Sequence, residues 1–254
     1  MTQTCMPRCA NGLPNGSGVV LVFDATTGFP LALLVDNGYL TELRTAAAGA
    51  LAARVLAPRR VATMAMIGTG VQARFQLRAI SRVCRCERVV AWSPDRSRRE
   101  AYCDEMMAAL GIEAHAATSP EEAVRGAELV VTVTPSQAPI VRTAWIGAGT
   151  TVIAVGSDGP HKQELEAALV GTAGKVVADR TAQCVELGEI HHAVAQGLFE
   201  PAQVYAELGA IVNGTTPGRE GDEIIVCDLT GVGVQDAAIA EIVWATLGDV
   251  TTDH

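Results

Sequence analysis

The chain has 254 residues, of which 49% are apolar and only 4% aromatic, with a net charge of −9 and a pI near 5. That length allows one large domain or two modest ones, with an interior built mostly of Ala, Val, Leu and Ile, and the negative charge argues against nucleic acid or an anionic membrane as the main partner. No stretch approaches the ~18 consecutive apolar residues of a membrane span, and the start, "MTQTCMPRCANG", lacks the apolar segment of a secretory signal; a cytoplasmic protein is expected.

In chain order, "GVVLVFD" (18–24) and "PLALLV" (30–35) read as the arms of a hairpin joined by "ATTG". "YLTELRTAAAGALAARVLA" (39–57) reads as an Ala-rich helix with Thr41 as its N-cap, stopped by Pro58. From residue 63 the pattern alternates in the manner of a β/α fold. "TMAMI" (63–67), "RVVAW" (88–92), "IEAHA" (112–116), "ELVVTV" (128–133), "TVIAV" (151–155) and "KVVAD" (175–179) are short apolar runs separated by crossover-length stretches. Strands apolar on both faces suit a parallel sheet covered by helices on each side, which makes a doubly wound Rossmann sheet the expectation.

After residue 180 come a helix through "QCVELGEIHHAVAQG", a shorter helical segment from Pro201, a strand "EIIVCD" (223–228) and a closing helix from about Val234. The expected architecture is an α/β Rossmann domain (58–180) inserted in a smaller α+β dimerisation and substrate domain (1–57 with 181–254). "EIIVCD" is expected to join the hairpin in a small sheet. The hairpin strands are too apolar to face solvent, so this sheet is expected to pair with its symmetry mate in a homodimer.

The seven cysteines (Cys5, Cys9, Cys84, Cys86, Cys103, Cys184 and Cys227) include no C-x-x-C pair, and the pattern reads as reduced thiols. His191 and His192 are adjacent, so on a helix their side chains point about 100° apart and converge poorly on a metal. No metal is expected.

The glycine loop carries the first chemistry. Gly68-Thr69-Gly70-Val71-Gln72-Ala73 fits G-x-G-x-x-G/A directly after the first β/α strand. Gly68 permits the tight turn, Gly70 lets backbone approach a pyrophosphate, and Ala73 allows close helix–strand packing. The helix N-terminus then faces the phosphates with its partial positive charge. An NAD-preferring site carries Asp or Glu at the end of the second strand, about 20 residues past the glycines, for the ribose 2′-OH. Here "AWSPDRSRRE" puts Ser93 at that place, with Arg96 nearby and Asp95 two residues beyond the usual spot. A hydroxyl and a guanidinium suit a 2′-phosphate, so NADP is expected, with NAD as the alternative. Arg98 and Arg99 read as a solvated helix face.

Four segments go past a generic Rossmann pattern: "NGYLTELRTAAAGALAARVLA" before "IGTGVQARFQ", then "VGSDGPHKQEL", then "DLTGVGVQDAAIA". From about residue 12 to the C-terminus the chain resembles the ornithine cyclodeaminase/μ-crystallin family. The wording of "LLVDNGYLTELRTAAAGA", "TPSQAPIV" and "GSDGPHKQEL" is most similar to its ectoine-utilisation branch, thought to act at an amino-acid C–N bond. By its residues alone Arg44 is a surface arginine in the first turn of the Ala-rich helix; the resemblance implies that it binds a substrate carboxylate. Asp158-Gly159-Pro160 fits equally an N-cap with an early-turn proline and an acid at the ligand-binding edge; the resemblance implies that Asp158 is the acid/base. It also implies that Lys162 reaches the cofactor, as do Thr134, Pro135 and Ser136 after the fourth strand and Val155, Gly156 and Ser157 after the fifth. Thr230 and Gly231 match the loop that closes the site.

Members of the family carry a longer leading segment that supplies part of the dimerisation sheet and an Arg and a Lys of the substrate pocket. "MTQTCMPRCAN" does not resemble it, and Arg8 is the one basic residue nearby. The substrate side of the pocket is therefore expected to be incomplete in this chain. The reading is an NAD(P)-dependent oxidoreductase on a small amino or imino acid, of the ketimine reductase or amino acid dehydrogenase type. The alternatives are a cyclodeaminase-type lyase using NAD and a non-catalytic, μ-crystallin-like NADPH binder. No tyrosine is followed four residues later by lysine, which excludes a short-chain dehydrogenase.

Overall fold

The computed structural model describes residues 17–247, so Cys5, Arg8, Cys9 and the stretch at 12–14 lie outside the described residues. The described chain opens with the expected hairpin, β1 (Val19–Phe23) and β2 (Pro30–Val35), followed by helix α1 (Tyr39–Leu56). An alternating stretch follows: β3 (Val61–Ile67), α2 (Val71–Ile80), β4 (Cys86–Trp92), α3 (Arg96–Leu110), β5 (Glu113–Ala116), α4 (Pro120–Val124) and β6 (Leu129–Thr132). Beyond it lie β7 (Gln137–Val141), β8 (Thr151–Ala154), β9 (Gln163–Leu165), α5 (Ala167–Thr172), β10 (Lys175–Ala178), α6 (Thr181–Glu186) and α7 (Gly188–Ala195). The chain closes with β11 (Ala206–Glu207), α8 (Leu208–Val212), β12 (Ile225–Asp228) and α9 (Gly233–Leu247).

These elements form two compact units: residues up to Arg44 with those from Gly233 onward, and Thr45–Val232 between them. In the first, β1 and β2 pair antiparallel with Val19 opposite Val35 and Leu21 opposite Leu33. Their turn is set by Asp24, whose Oδ1 accepts from the Thr26 and Thr27 backbone N–H groups at 3.0 and 2.6 Å. Strand periodicity puts Val19, Leu21, Phe23, Leu33 and Val35 on one face, each more than half exposed.

The second unit is an eight-stranded parallel sheet in the order β11-β10-β12-β8-β6-β3-β4-β5. All six expected strands lie in it. Alternate residues along β3 enter different cores: Met64 and Met66 pack with Ala52, Leu56, Leu77, Tyr102 and Met106, while Ala65 and Ile67 pack with Val124, Leu169 and Ile190. Both faces are thus covered, which is why these strands carry no polar stripe. Close approach of α1 and α2 depends on Gly49, where a Cβ would overlap the side chain of the buried Gln76. β3 pairs with β4 on one side and β6 on the other. The strand order reverses there, and the loops leaving β3 and β6 meet at the carboxyl edge, where open α/β sheets take ligands.

Three expectations change. "EIIVCD" does not join the hairpin: Ile225–Asp228 runs between β8 and β10, paired parallel to both and fully buried. A short run apolar on both faces says that a strand is central, but not in which sheet. With β11, β12 and α8 bound to this sheet and its core, residues 181–232 cluster with the Rossmann strands, as does α1 from Thr45 onward. The helix also starts earlier than expected. Asp36 Oδ2 accepts from Leu40 N at 2.5 Å ahead of exposed Thr41, so Thr41 is not the cap and Arg44 falls in the second turn.

Candidate functional site

Within the sheet unit, the candidate residues collect at the carboxyl ends of the strands. Gly68 follows β3 with φ +106°, a region that disfavours side chains, and a Cβ there would lie 2.9 Å from the Val133 carbonyl oxygen. Gly70 precedes α2, offers no capping side chain and faces open space, and the first turn of the helix holds no acid. The N-terminal N–H groups of α2 therefore face a cradle shaped for a phosphate, a contact of roughly 0.3–1 kcal/mol from the helix dipole alone. Val71 is exposed at its mouth, Gln72 accepts from Gln76 Nε2, and Ala73 is fully buried beneath it. Sequence reasoning missed Arg74. It donates to the Thr69 and Gly70 carbonyls at 2.7 and 3.0 Å, bonds Glu105 and lies over the Tyr102 ring, so it holds the loop from behind.

At the end of β4, Ser93 is buried and its hydroxyl accepts from Thr69 Oγ1 at 2.8 Å while donating to the Asp95 carbonyl. Asp95 caps α3 by accepting from Arg98 N. Arg96 is exposed and paired with Glu100 one turn on. Arg99 differs from its reading as a solvated face: it folds back to donate to the Ser93 carbonyl at 3.0 Å, and its Nε is buried without a partner. Helical spacing puts residue 99, not 96, over the strand end.

The loop leaving β6 meets the glycine loop on one side and the loop leaving β8 on the other. A Cβ on Gly68 would lie 3.1 Å from Thr134 Cγ2, and one on Gly156 would overlap the Thr134 backbone. Pro135 is exposed; Ser136 N donates to Thr134 Oγ1, and Val155 is buried. Each loop then enters a strand of a small parallel pair, β7 with β9, that the sequence pattern does not reveal. Between β8 and β9 the chain makes a tight turn in which Lys162 N donates to the Gly159 carbonyl and Ser157 Oγ to the Lys162 carbonyl. His192 Nε2 bonds the same carbonyl. Asp158 and Lys162 form an ion pair on this turn, with the Asp158 side chain half exposed. No helix starts at Asp158, so the capping alternative is removed.

Beneath these loops lie carboxylates that sequence reasoning passed over. Glu164 is fully buried; its Oε1 accepts from Thr134 N at 2.5 Å, and its Oε2 from Gly156 N at 2.8 Å and Thr132 Oγ1 at 2.7 Å. Glu189, also buried, accepts from the backbone N–H groups of Glu164 and Leu165. Asp228 accepts from Ile190 N, and its Oδ1 is buried without a partner. Burial pushes all three carboxyl groups up, Asp228 to about 7. Asp179 at the end of β10 accepts from Thr230 Oγ1 and Gly231 N, while Gln183 donates to Thr230 Oγ1 and the Gly231 carbonyl. The Thr230–Gly231 loop is thereby fixed. Asp179 and Asp228 end parallel strands, a signal the sequence did carry. Among the described residues no group of His, Cys, Asp and Glu is arranged to hold a metal, and Cys84, Cys86, Cys103, Cys184 and Cys227 are free.

In the other unit, Arg44 donates to Gln235 Oε1 at 2.9 Å, and its Nε lies 2.9 Å from Asp236 Oδ1 without hydrogen-bond alignment. Its side chain is largely buried and its charge is met by an acid of α9.

A doubly wound parallel sheet with a glycine-lined phosphate cradle at the reversal of strand order defines a Rossmann-type protein. The chain belongs to the ornithine cyclodeaminase/mu-crystallin family, whose profile matches residues 5–249. Iminosuccinate reductase of Paracoccus denitrificans is 40% identical over 239 residues, 92% of this chain and 71% of that protein. Among solved structures, an archaeal alanine dehydrogenase dimer with bound NAD aligns with TM-score 0.88 at 37% identity, covering 94% of this chain and 74% of the other. The Thermococcus litoralis Δ1-pyrroline-2-carboxylate reductase, in complex with NADH and L-proline, aligns with TM-score 0.89 at 31% identity, over 94% and 74%. Relatives thus include reductases and dehydrogenases of amino and imino acids, and these two solved neighbours hold NAD or NADH. No helix among the described residues is long and apolar enough to cross a membrane.

Proposed function

We propose that this protein is an NAD(P)-dependent oxidoreductase acting on the C–N bond of a small amino or imino acid. The observation that carries the reading is that an uncapped glycine cradle after β3 and the Asp158–Lys162 pair after β8 both follow strands at the carboxyl edge of one parallel sheet. The residues fit a dinucleotide: Gly68 and Gly70 leave room for a pyrophosphate, and Ser93 occupies the place where an NAD-selective acid would stand. Bound there, the dinucleotide supplies hydride exchange with the substrate carbon.

The chain's own residues do the rest. The cradle and the loops at Thr134 and at 155–157 hold and orient the dinucleotide, with Thr230 and Gly231 at the closing edge. Arg44 takes the substrate carboxylate, in competition with Asp236. Asp158 delivers or removes the proton on the substrate nitrogen, and Lys162 is its ion-pair partner in the free protein. The absence of a carboxylate at Ser93, together with Arg96 and Arg99 on α3, supports NADPH over NADH.

The test is a fluorescence titration with NADPH and NADH, followed by a panel of imino acids and of keto acids with ammonia, read as oxidation of the reduced cofactor. Micromolar binding with turnover of an imino acid is expected. Binding without turnover of any member would leave a dinucleotide-binding protein. Ammonia release from a diamino acid with no net change in the cofactor would make it a cyclodeaminase.

A further inference from the structure

Glu164 is an anomaly in this fold. A carboxyl side chain sits with no exposed surface in the middle of the edge strand β9, and it accepts from three donors on two other segments. Two of those donors are backbone N–H groups, of Thr134 just past β6 and of Gly156 just past β8. Both belong to loops that the proposed function places against the dinucleotide. Burying an ionised carboxylate is costly unless its oxygens are well paired. Here the pairing is spent on loop backbone.

The strand carrying Glu164 is itself held in the same way. Glu189 on α7 accepts from the Glu164 and Leu165 N–H groups at 2.7 and 3.0 Å, and Asp228 at the end of β12 accepts from Ile190 N at 2.9 Å. Three buried carboxylates thus follow one another, each gripping backbone of the next segment, and the series ends on the two loops. A purely apolar β9 would fill the same space without fixing either loop.

Resting on the dinucleotide reading, we propose that Glu164 is a positioning residue that pre-organises the Thr134 and Gly156 loops to receive the cofactor. It touches neither cofactor nor substrate; it acts through the two backbone segments it holds. Thr132 supplies a third donor that aligns the carboxylate between them.

The experiment starts from the wild-type chain with NADH and NADPH. Glu164→Gln puts an amide NH2 where one oxygen now faces an N–H, so in either orientation a loop loses its acceptor. The expected result is a Kd for the reduced dinucleotide raised about tenfold, with the cofactor KM rising more than kcat falls. A role confined to stability would lower the melting temperature and leave Kd and KM unchanged in the folded protein, and that result overturns the proposal. Should the variant not fold, amide hydrogen exchange on the wild type decides. Slow exchange of Thr134 and Gly156 N–H before cofactor is added supports pre-organisation; fast exchange that slows only with cofactor overturns it. Wild-type protein that binds neither dinucleotide would instead sink the functional reading, and this proposal with it.

Discussion

The hydroxyl of Thr69 donates to that of Ser93 at 2.8 Å, which ties the glycine loop to the end of β4. In an NAD-selective site a carboxylate would stand at this strand end and repel a 2′-phosphate. NADPH is therefore expected to bind more tightly than NADH. Arg99, already folded onto the Ser93 carbonyl with a buried unpartnered Nε, is the better placed of the α3 arginines. Arg99→Ala should narrow the preference by roughly tenfold, about 1.4 kcal/mol, and Arg96→Ala by less, since Arg96 is turned toward Glu100. Fluorescence titration giving equal or tighter NADH binding to the wild type would refute the preference.

Asp158 caps no helix and is half exposed, so its carboxylate has little structural work beyond the pair with Lys162. Asp158→Asn should lower kcat by about 100-fold or more, in the range of general acid–base contributions. The melting temperature should stay within about 2 °C of wild type, because a surface ion pair contributes little. Unchanged turnover in this variant would remove Asp158 from the chemistry.

The Rossmann core was legible because its signals are local. Six apolar runs, a glycine pattern and a helix stop are each set by nearby residues, and all six runs became sheet strands. What escaped depends on contacts distant in sequence. Nothing local to "EIIVCD" says that it slides between β8 and β10, and nothing near Glu164 says that its acceptors serve Thr134 and Gly156. The pair β7 and β9 is too short and too mixed in polarity to show a period. Asp228 and Asp179 were within reach, since acids ending parallel strands stand at the ligand edge. At the helix start, Asp36 two residues before Gly38 competed with Thr41, and the helix began where the earlier acid could bind Leu40 N.

Arg44 meets Gln235 and Asp236 of α9, so its loss has two consequences. Arg44→Ala should raise the substrate KM by roughly 30-fold, about 2 kcal/mol for a charge-assisted contact. It should also leave Asp236 without its partner and loosen α9. Asp236→Asn separates the effects: it frees the guanidinium and should lower the substrate KM while loosening the helix similarly. If both variants raise KM alike, Arg44 acts through α9 and not on the substrate.

Val19, Leu21, Phe23, Leu33 and Val35 share one exposed face of the hairpin. A continuous apolar face of two strands is unstable in water without a cover, and a second copy of the chain would supply one by two-fold symmetry. Light scattering at micromolar concentration should give a homodimer, and Leu21→Lys with Leu33→Lys should shift it to monomer. A wild type that runs as a clean monomer would refute the expectation.

The buried acids predict how stability changes with pH. Burial raises Asp228 from its usual 3.8 to about 7, and the charges of Asp179 and Glu164 push it the same way. Glu164 and Glu189 are raised in the same sense, and the buried thiols Cys184 and Cys227 beside Asp228 are pushed up as well, so they stay uncharged. An acid whose folded pKa is raised holds its proton more tightly when folded. Its contribution to stability is complete below its unfolded pKa and is lost as pH rises through the folded one. Glu122, Glu166, Glu207 and Glu223 are lowered by hydrogen bonds, Glu223 to about 2, and their contribution is lost only as pH falls below the ordinary carboxylate range. Between about pH 5 and pH 8 the buried set therefore decides the slope. Thermal melts should give a wild-type melting temperature about 5 °C higher at mildly acidic than at mildly alkaline pH. Asp228→Asn keeps an oxygen for Ile190 N but cannot ionise, so it should flatten the profile, with its largest gain on the alkaline side. A variant whose profile runs parallel to wild type across that range would show that Asp228 is not the group being titrated.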